Sequence, residues 1–102
     1  MTLADLLRAG AADAGVETTA LPEGGTAFAV GATTVAAVSA DGSTAEFRLD
    51  PAVALAAQRT PDTAASERGP DWVRFAPATL DPHAADRAVA WLGSAARRAR
   101  GA

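Results

Sequence analysis

Cysteine, lysine and tyrosine are missing from this 102-residue chain, and histidine occurs once. Without cysteine there can be no disulfide, no thiolate metal ligand and no sulfur nucleophile. With a single histidine and no lysine or tyrosine, few groups remain to act as general acid, base or nucleophile. Aromatic side chains supply only 5% of the residues, two Trp and three Phe, so a handful of large groups must anchor a core otherwise made of small ones. A long apolar run is also lacking. No stretch approaches the roughly 18 residues of a membrane span, and Met1-Thr2-Leu3-Ala4-Asp5 carries an acid where a secretory leader needs positive charge. The chain is therefore expected to be cytoplasmic, with no membrane partner.

What is present points to a folded protein. Hydrophobic residues make up 49% and charged ones 21%, the profile of a globular chain, and the length is that of one domain spanning residues 1–102. All nine basic residues are Arg, which together with the alanine excess reads as the codon bias of a GC-rich genome. The net charge of -3 offers no long-range attraction to phosphate backbones, so nucleic acid is not the expected partner.

Periodicity divides the chain. Leu3, Leu6, Leu7, Ala11 and Ala14 recur at helical spacing, Thr2 can cap them and Gly15 can end them. Between Val16 and Asp50 the pattern turns to β-branched residues broken by glycine, which predicts strands near 16–21, 26–30, 33–40 and 44–49. Asp41-Gly42 is the signal for a tight hairpin. In the fourth strand Ala45, Phe47 and Leu49 alternate with Glu46 and Arg48, so the apolar set takes one face, shared with Phe28 and Val30. Asp50-Pro51 and Asp81-Pro82 each read as an N-cap followed by the first helical residue. Residues 60–70 carry no apolar period and are expected as a mobile surface loop. Asp71 to Ala76 alternates as a strand, and the last helix is expected to bury Ala85, Ala88, Val89, Leu92, Ala96 and Ala99. Phe47, Leu49, Val73, Phe75, Val89 and Leu92 should form one cluster. The class is α+β, order α-β-β-β-β-α-β-α, with a mostly antiparallel four- to five-stranded sheet and helices packed on one face.

The stretch Phe47-Arg48-Leu49-Asp50-Pro51-Ala52-Val53-Ala54, a strand entering a Pro-started helix, and the later strand Asp71-Trp72-Val73-Arg74-Phe75 resemble the YjbR (MmcQ/YjbR-like) family of small bacterial proteins. The resemblance runs from about Gly25 to the end. In this chain Gly31-Ala32-Thr33-Thr34 stands where the family's usual pattern has a Gly-Lys step. The family's fold is similar to a double-wing DNA-binding module, so the resemblance implies a DNA-binding alternative; it brings no catalytic residues. The arginine-leucine and Trp-Val strands also resemble small bacterial domains labelled "luciferase domain", a label that implies no luciferase activity.

No catalytic constellation, cofactor motif or metal-ligand spacing is present. His83 opens the last helix with only Asp86 in reach, and no serine sits in a Gly-x-Ser-x-Gly elbow. Two groups of residues remain as candidates. Glu46, Arg48 and Arg74, with His83, form a ligand-binding set, because the first two project from one strand face where an anion could be held; solvated cross-strand charge pairs are the plainer reading. Arg87, Trp91 and Arg98 share one flank of the last helix and, with Trp72, form an interface set: a ring between guanidiniums suits a protein partner, a second copy of the chain included, unless Trp91 folds over the core rim. The residues thus favour a non-catalytic binding or protein-interaction module over an enzyme. The alternative is a small-ligand or enzymatic site in the groove between the sheet and the last helix.

Overall fold

The computed structural model describes residues 1–101. Helix α1 (Leu3–Ala14) is followed by strands β1 (Glu17–Ala20), β2 (Thr26–Val30), β3 (Thr33–Val38) and β4 (Ala45–Arg48). Then come α2 (Pro51–Ala57), β5 (Thr63–Ala65), β6 (Trp72–Phe75) and the long α3 (Pro82–Ala99). The strands form one six-stranded sheet in the order β1-β2-β3-β4-β6-β5, with every neighbouring pair antiparallel. The class is α+β, as the alternation and capping signals indicate. No helix among the described residues is long and apolar enough to cross a membrane.

Local chemistry sets the element ends. Thr2 and Asp5 form a reciprocal capping box at the start of α1, and Gly15 closes it in the left-handed conformation at φ 69°. Asp50 accepts the backbone N–H of Ala52 at 3.0 Å, and Asp81 that of Ala84 at 2.8 Å. Both Asp-Pro pairs are therefore helix starts. Between β1 and β2, Gly25 sits at φ 86° with its α-carbon pressed on the end of β3, where a β-carbon would lie 2.5 Å from the Val38 carbonyl oxygen.

The helix-facing side of the sheet carries Phe28, Ala36, Phe47, Val73 and Phe75 in register across four strands. All are fully buried and packed against Leu7, Ala88 and Leu92 in one hydrophobic cluster. Each buried Phe contributes on the order of 1.5–3 kcal/mol, so three rings in an alanine-rich core carry much of the stability. Helices α1 and α3 lie side by side with their C-terminal ends together, tied by Arg100 Nη2 donating to the Ala14 carbonyl at 2.5 Å.

Three expectations need correction. The sheet has six strands, because Thr63–Ala65 in the expected loop pairs with the outer edge of β6. The last helix is rotated from its expected stripe: Ala84, Ala88, Leu92, Ala95 and Ala96 are buried, while Val89 is 42% exposed and outside the core. The reason is Trp91, whose ring packs edge-on to Phe75 at 5.2 Å and tilted against Phe47 at 5.9 Å. Seating that ring on the sheet turns Val89 outward. The β3–β4 connection is longer than a two-residue turn, running from Ser39 to Thr44. Its only left-handed residue is Gly42, while Asp41 accepts from the Ser39 and Ser43 hydroxyls and the Ser43 N–H. A bulge between Phe28 and Ala29 interrupts the β2–β3 register, and Val30, on the face it was expected to share with Phe28, packs partly buried against the core.

Candidate functional site

Two clusters of arginine and carboxylate flank strand β6, and both include residues that the sequence singles out. The first lies on the sheet face that no long helix covers. The register sets Glu46 opposite Arg74, yet the Glu46 carboxylate is held by Arg68, whose Nε donates at 2.9 Å, and by a short hydrogen bond from the Ser66 hydroxyl. Burial alone would raise the Glu46 pKa; the bonds from Ser66 and Arg68 and the charges of Arg68 and Arg74 outweigh it and hold the group below its ordinary value. Arg68 also lies over the Trp72 ring, 5.1 Å from its centroid, so Trp72 is covered by the chain's own loop and only 8% exposed. Arg74 is exposed.

The second cluster is at the end of the sheet where β4 leaves and β6 enters. Arg48 Nε donates to Asp71 Oδ2 at 2.9 Å. From α3, Arg98 Nη1 donates to the same oxygen at 3.1 Å and to the Leu49 carbonyl at 2.8 Å. One carboxylate thus gathers two guanidiniums from different elements. The Asp71 pKa is lowered, first by the hydrogen bond from Arg48, against burial, and then by Arg98. Beside this cluster opens a cleft of about 210 Å³ between the sheet and the last helix, lined by Thr33, Val35, Arg48, Ala95, Arg98 and Ala99. Val35 and Ala95 at its base are about 1% exposed and belong to the core, so the surface the cleft presents is mainly the polar parts of Arg48, Arg98 and Thr33.

Donor counting distinguishes the clusters. Guanidinium offers five N–H groups. Among the described residues, Arg48 commits only Nε and Arg98 only Nη1, so the two Arg48 η-nitrogens and Arg98 Nε and Nη2 have no protein acceptor. Charge counting agrees: two cations and one anion leave the cleft with one net positive charge.

The interface set is engaged within the chain. Trp91 is half-buried against Phe47 and Phe75, Arg87 lies 5.0 Å over the Phe75 ring and donates to the Pro61 carbonyl at 2.8 Å, and Arg98 is committed as above. Of the ligand set, Glu46 and Arg74 face each other in register on the open sheet face, Arg48 joins Arg98 at the cleft, and His83 is exposed in the first turn of α3, absent from the cleft's lining. Asp71, Thr33 and Val35 carry no sequence signal of a site; Asp71 reads only as the entry to a strand, and its partners lie 23 and 27 residues away. Among the described residues no group of three or more His, Asp or Glu could hold a metal ion. Comparison with known protein families, curated proteins and solved structures gives no match for this chain.

Proposed function

We propose that this chain is a non-catalytic binding module that takes a small anion in the cleft between the sheet and the last helix. Arg48 and Arg98 hold the charged group, with the Thr33 hydroxyl and the partly buried Ala99 beside them. The observation that carries this reading is the convergence of two guanidiniums on one Asp71 oxygen with donors left over, at a cleft that both arginines line. Arg presents its donors in a planar fork suited to bidentate contact with a carboxylate or phosphate. The cleft's lining offers no general base and no nucleophile with an orienting partner, Thr33 being its one hydroxyl, which favours binding over catalysis.

The geometry supports this reading over a protein interface at Arg87, Trp91 and Arg98, since Trp91 spends its ring on Phe47 and Phe75, and Arg87 lies over the Phe75 ring and donates to the Pro61 carbonyl. It is also preferred to DNA binding through a YjbR-like layout, because on the open sheet face Glu46 offsets one of Arg68 and Arg74, and the whole chain carries -3. The test is calorimetric titration of the wild type, Arg98→Gln and Arg68→Gln with small carboxylates and phosphates, folding being checked by circular dichroism. Saturable binding by the wild type and Arg68→Gln, weakened at least tenfold in Arg98→Gln, supports the reading. Equal binding by all three folded proteins contradicts it.

A further inference from the structure

The groove between the two long helices is a second surface, independent of the arginine cleft. It has a volume of about 440 Å³ and runs between Gly10 and Ala14 of α1 and Val89 and Gly93 of α3, with Asp13 and Arg97 toward the C-terminal ends. Val89 stands in it 42% exposed, although α3 places its other large apolar groups, Trp91 and Leu92, against the core. We infer that this face binds a second copy of the chain, in a two-fold dimer whose α3 helices pack antiparallel.

Charge placement carries the inference. Asp86, Ala90, Gly93 and Arg97 follow one another at steps of four, three and four residues, which puts them on one face of α3. Asp86 and Arg97 are both exposed, and among the described residues neither has an ion-pair partner, Asp13 across the groove included. Along the helix they stand about 16 Å apart, too far to meet each other. Both lie equally far from the point between Trp91 and Leu92, and so do Ala90 and Gly93. An antiparallel copy turned about that point sets Asp86 opposite Arg97 at both ends and Ala90 opposite Gly93 in the middle. Such an exchange of roles is what a two-fold interface requires. A parallel copy would oppose acid to acid and base to base.

The middle of that face is shaped for close approach. A glycine inside a helix weakens it relative to alanine. At Gly93 the chain gains nothing in return, because an added β-carbon would meet only Arg97 Nη1, at 3.3 Å, the far end of a flexible side chain. A second helix crossing at Ala90 and Gly93 makes use of the missing side chain, since the residues at a crossing set how near two helix axes come. The same crossing covers Val89 of each copy with the groove of the other, removing its exposed apolar area from water.

The test is sedimentation velocity of the full chain over about a hundredfold range of concentration, with folding checked by circular dichroism. The wild type should pass from monomer to dimer as concentration rises. Asp86→Arg and Arg97→Asp each oppose like charges at both ends, so each alone should weaken the dimer at least about tenfold. An equimolar mixture of these two variants should recover it as a heterodimer, because one copy then carries both bases and the other both acids. The double variant should recover it as well. Gly93→Gln places a good helix former at the crossing, and should raise the unfolding midpoint of the monomer while abolishing the dimer. A wild type that stays monomeric throughout overturns the dimer. A dimer that survives the single variants or Gly93→Gln, or a mixture that associates no better than either variant alone, overturns this face as its seat.

Discussion

Two arginine–carboxylate clusters lie within a few residues of each other along β6, and they differ in how completely their donors are used. Around Glu46, one carboxylate receives one arginine and one serine, and that arginine is further occupied by the Trp72 ring beneath it. Around Asp71, one carboxylate receives two arginines, and most of their N–H groups point to no acceptor among the described residues. The first arrangement is closed: it fastens residues 66–70 over the open sheet face and gives Trp72 its cover. The second is unsaturated and borders a cleft. Each side holds two arginines, Arg68 and Arg74 against Arg48 and Arg98, and it is the balance of donors and acceptors that separates them.

The severest way to break the comparison is to remove what both clusters stand on. Phe75 is fully buried in β6, between Ala45 and Thr63 in register, and carries the edge of the Trp91 ring. Phe75→Ala should cost about 3–5 kcal/mol, measured by urea unfolding, and should loosen Asp71 and Trp72 together. Next in size, Asp71→Asn leaves two guanidiniums sharing one neutral acceptor and should cost about 1–2 kcal/mol. Glu46→Gln keeps an acceptor for Ser66 and a weaker one for Arg68, both near the surface, and should cost about 0.5–1 kcal/mol. Finding the two costs reversed in order would show that the closed cluster is the tighter restraint.

Acid sharpens the contrast further. Asp71 and Glu46 both titrate below their ordinary values in the folded chain, so the unfolded chain binds protons first as pH falls. Their contribution to stability is complete above the ordinary carboxylate range and is lost as pH drops through the folded values. Asp41 behaves alike: hydrogen bonds from the Ser39 and Ser43 hydroxyls, with the Ser43 N–H, bring its pKa from 3.8 to about 2. Unfolding midpoints followed from pH 6 to pH 2 should fall toward the acid end, with a shallower fall in Asp71→Asn than in the wild type. An equally steep fall in the variant would mean that Asp71 is not held by its arginines in solution.

The helices and five of the six strands were legible in the sequence because their signals are local: the Asp-Pro caps, the Leu3–Leu7 stripe, the alternation around Phe47. Strand β5 was not, since Thr63-Ala64-Ala65 has neither alternation nor bulk, and only the open edge of β6 turns it into a strand. The periodicity of α3 points to a stripe through Val89, whereas packing seats the larger Trp91 ring on Phe47 and Phe75 and leaves Val89 outside. Of the two arginines on Asp71, Arg48 stood out on its strand, and Arg98 stood out for a different role. Their meeting at Asp71 depends on a contact 50 residues apart along the chain between a strand end and a helix end, which no local pattern encodes.

The most direct measurement follows the arginine side chains themselves. In a nitrogen-15-labelled sample, the Nε–H signals of Arg48, Arg98, Arg68 and Arg74 can be monitored while acetate is added at constant pH and ionic strength. An anion held by Arg48 and Arg98 should move their signals together along one saturable curve, with those of Arg68 and Arg74 unmoved. Equal, unsaturable shifts at all four would reduce the cleft to ordinary ionic screening and contradict anion binding there.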